Sequence, residues 1–234
     1  MRQDGRGLRR RALRQGGGQP APSGRVRPDF VLRDELASPG ADRRCGVNLI
    51  CRPPEHVLDY VYKLQEYLRE AEPAQYYYPP ADLHLTLFEI CHSRTPEDAE
   101  ALALRLRAHI NELVAGAQPV KVCAAALAFD QRGCALSFTP TGAGLQRFRQ
   151  AMAERLVGRG MIAAPRYEAA SAHVTLMRYI KTLRSEPQAW ALRLLRAPRR
   201  EQTDWTLSEV WITWGANWYG MRSRIAEAGP FRLG

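Results

Sequence analysis

The sequence lacks several things, and each gap narrows what it can be. No stretch approaches the ~20 consecutive apolar residues of a membrane span, so no membrane role is expected. The N-terminal residues lack the apolar core of a signal peptide and carry only two serines and no amphipathic stripe, which argues against a transit peptide. Cysteine is scarce and unpatterned. The five residues Cys45, Cys51, Cys91, Cys123 and Cys134 are odd in number and contain no C-x-x-C. That speaks against a zinc site and against a secreted disulfide framework. Each lies in or beside an apolar run and reads as a small buried hydrophobe in a reducing compartment, so the expected location is the cytoplasm.

Charge is plentiful but uneven. The net charge is +10 and the sequence pI is about 9.8. Residues 1–44 alone hold 11 arginines against 5 acids, so most of the surplus sits at one end, and bulk charge says little about nucleic acid. Residues 1–42 are rich in Arg, Gly and Pro, show no hydrophobic periodicity, and are expected to be disordered. The favoured reading of this tail is a dispensable extension; the other is a basic arm adding non-specific phosphate affinity. The folded domain is expected over 43–234.

Histidine is also scarce, at five residues. His56, His92 and His109 stand in no repeated context and read as surface or helix residues. The other two do not. His84-Leu85-Thr86-Leu87 is answered by His173-Val174-Thr175-Leu176, 89 residues later. Both lie in short alternating apolar runs, which signal strands. In a strand, residues i and i+2 share a face. His84 and Thr86 are therefore expected to project together, as are His173 and Thr175. The apolar run at Val47 precedes His84 by the same 37 residues that separate Leu136 from His173. A fixed offset linking several elements marks an internal repeat.

The coarse elements support it. A strand at about 46–51 leads through Pro53-Pro54 into a helix with Val57, Val61, Leu64 and Leu68 on one stripe. Tyr76-Tyr77-Tyr78-Pro79-Pro80 precede the first motif strand. Thr95-Pro96-Glu97-Asp98 starts a second helix, with a hydroxyl cap and Pro at its first position. Strands follow at 120–129 and 134–138, joined by a turn at Asp130-Gln131-Arg132-Gly133. The second half repeats the order: a helix carrying Leu145, Phe148, Met152 and Leu156, irregular chain from 159 to 171, and the second motif strand. It closes with a short helix from Pro187, a strand at 205–214, a turn at Gly215-Ala216-Asn217 and an edge strand. The class is α+β: two pseudo-symmetric lobes, at about 45–130 and 134–220, each a mostly antiparallel sheet with helices on its outer face, flanking a central cleft.

Two imidazoles across a cleft can divide proton transfer, one activating the attacking oxygen and one protonating the leaving oxygen. A threonine hydroxyl on the same face can donate to a non-bridging phosphate oxygen. That set needs no metal and no other cofactor, and the H-x-T pattern brings no acid or cysteine pair that would complete a metal site. Tyr76, Tyr77 and Tyr78 could stack a base at the cleft mouth. Trp205, Trp211 and Trp214 read as core.

The paired motifs resemble those of the 2H (two-histidine) phosphoesterase superfamily, and most closely its RNA 2',3'-cyclic phosphodiesterase branch, also called 2'-5' RNA ligases. The resemblance covers about residues 45–220. It implies the bilobal fold and metal-independent cleavage of phosphodiesters involving a ribose 2'-oxygen. It further implies His84 and His173 as the acid–base pair and Thr86 and Thr175 as phosphate-holding hydroxyls. Arg178 is similar to a basic position that often follows the second motif, and Tyr78 is taken with it as a substrate contact. Glu89 stands at the corresponding place after the first motif. The expected partner is RNA or a small nucleotide, acted on by a monomer. The competing class is a protein that binds RNA ends or nucleotides without turnover.

Overall fold

The computed structural model describes residues 26–161, 171–199, 203–215, 221 and 225–234. The N-terminal residues 1–25, part of the irregular stretch before the second motif, and Ala216 and Asn217 of the expected turn lie outside them.

Among the described residues nine strands form one antiparallel, strongly curled sheet in the order β7-β4-β5-β6-β3-β1-β8-β9, with β2 also paired to β6. The strands are β1 (Cys45–Cys51), β2 (Tyr76–Tyr77), β3 (Leu85–Arg94), β4 (Val120–Phe129), β5 (Gly133–Pro140), β6 (Ala172–Arg178), β7 (Trp205–Leu207), β8 (Glu209–Gly215) and β9 (Ile225–Arg232). The helices are α1 (Phe30–Ala37), α2 (Glu55–Ala71), α3 (Pro96–Val114), α4 (Gly144–Gly158) and α5 (Pro187–Leu195). The expected helix start at Thr95 is present: its hydroxyl accepts from the Asp98 amide at 3.1 Å, and Pro96 takes the first helical position.

The lobes are not the contiguous blocks 45–130 and 134–220. Each half gives its last strand to the other. β4 pairs with β5, and β8 pairs with β1. The strand expected at 205–214 breaks at Ser208, so β7 joins β4 in one lobe while β8 joins β1 in the other. A sequence offset reports the repeat but not which edge each strand completes.

One face of the sheet carries the core. Leu49, Leu85, Leu87, Leu136, Val174, Leu176 and Ile212 pack beneath the apolar stripes of α2, α3 and α4. Satisfying this face fixes the opposite one, because a one-residue slip would turn every side chain over. At Gly133 an added Cβ would lie 2.2 Å from the Met177 carbonyl oxygen, so β5 approaches β6 as closely as it does only because no side chain stands there.

Residues 26–42 correct the expected tail. Asp29 caps α1, its carboxylate accepting from the Leu32 amide at 3.0 Å. The Arg27 and Asp29 amides donate to Gln131 O and Tyr179 O, each at 2.7 Å. Leu32 is fully buried with Met221, against Tyr76 and Ile180. One anchoring leucine in a two-turn helix leaves no periodic signal; its burial comes from partners far away in sequence.

Candidate active site

The two motif strands meet at one residue pair, Leu85 opposite Val174, and their register extends no further. Both side chains are completely buried on the core face. Alternation then sends the next positions to the other face. His84 stands one residue before Leu85 and Thr175 one after Val174, so in an antiparallel pair they are across from each other. Thr86 and His173 are across from each other for the same reason. All four are half-buried between fully buried neighbours. The contact is thus the centre of a local pseudo-twofold, with one imidazole and one hydroxyl from each lobe around it. Beside them small or apolar side chains occupy the same face: Ser137 opposite His173, Ala135 opposite Thr175 and Ile50 opposite Thr86.

Each histidine is held by a partner two residues before it. His84 Nδ1 lies 2.7 Å from the Asp82 carbonyl oxygen. A carbonyl only accepts, so Nδ1 carries the proton and Nε2 keeps its lone pair. His173 Nδ1 lies 3.0 Å from Ser171 Oγ, a hydroxyl able to donate or accept. Burial pushes the His84 pKa down to about 4; the hydrogen bond to Asp82 opposes this, while the charges of Arg52 and His173 add to it. His173 is lowered by burial and then by Arg178 and Arg149, with Asp130 working the other way.

Arg178 follows on β6, opposite Gly133 on β5 and Tyr76 on β2. Its buried Nε has no hydrogen-bond partner among the described residues. Burial opposes its charge, but Tyr78, Asp29 and Asp130 outweigh that and raise its pKa further. A buried guanidinium with an unused donor next to an imidazole pair suits an anion. Tyr78 is 3% exposed, so it offers no ring face to a ligand; its hydroxyl lies against Arg178 and acts through it. Tyr77 lies under Arg69 and its hydroxyl donates to Glu72 O at 3.0 Å. Tyr76 packs edge-on to Tyr78, with ring centroids 5.0 Å apart. Burial closes off base stacking by Tyr78, while Tyr76 and Tyr77 are half-buried in these contacts.

Glu89 sits on β3, 9% exposed, with the His92 ring 3.7 Å from its carboxylate; His92, read as a surface or helix residue, is half-buried on the same strand. Among the described residues no three His, Cys, Asp or Glu side chains gather where a metal could be held.

Two arginines that sequence reasoning did not single out hold the motifs in place. Arg149 on α4 donates through Nε to Leu87 O at 2.8 Å and through one terminal nitrogen to Ser171 O at 2.8 Å and Thr86 O at 3.4 Å. It therefore ties β3 to the residue that orients His173. Arg52 donates to Ala81 O at 2.8 Å and pairs with Glu227 at 2.8 Å, bracing the turn that carries Asp82. Neither has a sequence signal, since a lone arginine beside an apolar stripe reads as a solvated residue.

No protein-family model matches the sequence, and no curated protein sequence matches it. Solved structures do. Escherichia coli LigT in apo form aligns with a TM-score of 0.51 at 16% identity, covering 81% of this chain and 98% of that one. LigT complexed with 3'-AMP aligns at 0.50 and 13% identity, covering 82% and 98%. The Agrobacterium tumefaciens conserved protein ATU0111, of unknown function, aligns at 0.53 and 13% identity, covering 75% and 82%. At these identities the likeness is one of fold. The chain shares the fold of LigT, a curled antiparallel sheet with helices packed on one face.

Proposed function

We propose that the chain is a metal-independent phosphodiesterase acting on bonds to a ribose 2'-oxygen: 2',3'-cyclic phosphate ends of RNA, 2',5'-linked oligonucleotides or small cyclic nucleotides. The observation that carries this reading is the placement of two imidazoles and two hydroxyls around the single Leu85–Val174 contact. LigT, whose fold it shares, has been crystallised with 3'-AMP, which is in keeping with a nucleotide at this cleft.

The roles follow from the hydrogen bonds. His84, with its proton on Nδ1 and its pKa near 4, is the base, taking a proton from water on Nε2. The water oxygen bonds to phosphorus as the bond to the ribose 2'-oxygen breaks. His173, whose Nδ1 proton can be held by Ser171 Oγ, gives its Nε2 proton to that leaving oxygen. The bound phosphate diester, being an anion, favours the imidazolium this requires. Thr86 and Thr175 donate to the non-bridging oxygens, and Arg178 offsets their growing charge. The product is a phosphomonoester, and the two imidazoles return to their starting states by exchange with water.

The test is to offer the purified protein 2',3'-cyclic nucleotides, 2',5'-oligoadenylate and RNA with a cyclic phosphate end, in EDTA, assigning product phosphate position by phosphorus NMR. Turnover of at least one class, with cleavage at the 2'-oxygen, is expected. Binding without turnover would replace the enzyme with the binding protein.

A further inference from the structure

Register carries the cleft face beyond the motifs. Thr86 pairs with Ile50 on β1, and Ile50 pairs with Trp211 on β8. Directly paired residues share a face. Trp211 therefore lies on the face of Thr86, two strand spacings or roughly 10 Å along the sheet. Its packing agrees. Ile50 is 2% exposed yet stands outside the core cluster that contains its neighbours Leu49 and Cys51, and half-buried Trp211 is outside that cluster as well. Trp214, paired with Val47, does pack on the core, and Trp205 lies within it against Phe138. Of the three tryptophans read from sequence as core, Trp211 faces the other way.

A close approach positions its ring. A Cβ on Gly229 of β9 would meet Trp211 Cε3 at 3.1 Å and the Val210 carbonyl oxygen at 2.9 Å. With no side chain at 229, the Cε3 edge of the indole comes close to the β9 backbone, and the half-buried ring lies on the Thr86 face of the sheet. One step along the sheet, Asn48 pairs with Thr213, and half-buried Asn48 is on the same face. Indole against glycine, with the Asn48 amide at the diagonal position on the same face, forms a small seat about two strands from the motif residues.

We propose that Trp211 is the platform on which the base of the substrate nucleotide stacks, with the Asn48 amide at the base edge. This rests on the reading of the cleft as a nucleotide phosphodiesterase site. Stacking accepts any base, since every base has a π-face, so this seat sets affinity for nucleosides over base-free phosphodiesters more than it chooses among bases.

The test compares 2',3'-cyclic AMP with the same cyclic phosphate on 1-deoxyribose, which lacks a base, alongside calorimetric binding of adenosine 3'-monophosphate. In Trp211→Leu, KM for cyclic AMP is expected to rise roughly five- to hundredfold, with kcat and the base-free ester unaffected. Trp211→Phe should retain most of the affinity. Asn48→Ala, which leaves the ring in place, should raise KM for cyclic AMP alone. An unchanged KM ratio between the two esters in Trp211→Leu overturns the platform while leaving the catalytic reading intact. If the wild type turns over neither ester, weaker nucleotide binding by Trp211→Leu upholds the platform and removes the catalysis. A wild type that binds no adenosine monophosphate overturns both.

Discussion

Arg149 holds the motif strands by their backbone carbonyls and has no assigned part in the proposed chemistry, so replacing it tests whether the motif strands need an external brace. Arg149→Met removes two hydrogen bonds of 2.8 Å from a charged donor and a longer third of 3.4 Å. Bonds to charged groups contribute about 1.5–3 kcal/mol each. Water can reach the exposed Ser171 carbonyl but less easily that of Leu87, which leaves an expected loss of about 2–4 kcal/mol. For a chain of this size that lowers Tm by about 5–15 °C. Arg149→Lys should fall between, because an ammonium cannot span both carbonyls as the planar fork does. The kinetic effect has a sign. Arg149 disfavours the His173 imidazolium, so its loss lets that pKa rise towards the ordinary histidine value. The alkaline limb of kcat/KM should move to higher pH while the acid limb, set by His84, stays. Thermal melts and a pH series on one cyclic nucleotide measure both. A variant with wild-type Tm and an unmoved alkaline limb would refute the brace.

Three further outcomes are expected. With His84 needed neutral and His173 needed protonated, kcat/KM of the free enzyme should be highest between about pH 4 and a value below the ordinary histidine pKa, falling as pH rises through the His173 pKa; an optimum above pH 7 in a pH–rate profile would contradict the lowering of both groups. Deleting residues 1–25 should leave turnover of a small cyclic nucleotide unchanged, and a salt-dependent loss of binding to longer RNA would favour the basic-arm reading over a dispensable extension; deleting 1–40 also removes α1 and uncovers Met221, Tyr76 and Ile180, so its Tm should fall, and equal Tm for the two truncations would mean α1 contributes nothing. Gly133→Ala puts a methyl 2.2 Å from the Met177 carbonyl oxygen, and overpacking of this kind costs about 1–3 kcal/mol or more in a urea melt.

Much of the site was legible because its chemistry sits in local repeats. Alternation in Leu85-Thr86-Leu87 and Val174-Thr175-Leu176 fixes which face each motif side chain takes, and the common offset implies that the two motifs meet. Tertiary placement was not legible. The exchange of β4 and β8 depends on which sheet edges remain open, and nothing in their composition reports it. Arg149 and Arg52 act through backbone carbonyls, which every residue has, so their targets leave no trace in sequence. α1 was read as tail because Leu32 is its one buried apolar residue, and its other buried side chain, Glu35, is charged. Tyr78 and Trp211 exchanged expected places for one reason: an aromatic in a short apolar segment can face core or cleft, and only register decides.

The two-histidine centre is tested most directly by kcat/KM for one 2',3'-cyclic nucleotide, measured in EDTA for wild type, His84→Ala, His173→Ala and the double variant. Each single change should cost on the order of 10²–10⁴, the usual worth of a positioned acid or base. The double variant should lose less than the product of the two, because the pair acts as a unit. Turnover near wild type in either single variant, or activity abolished by EDTA and restored by a divalent ion, would contradict a metal-independent mechanism built on His84 and His173.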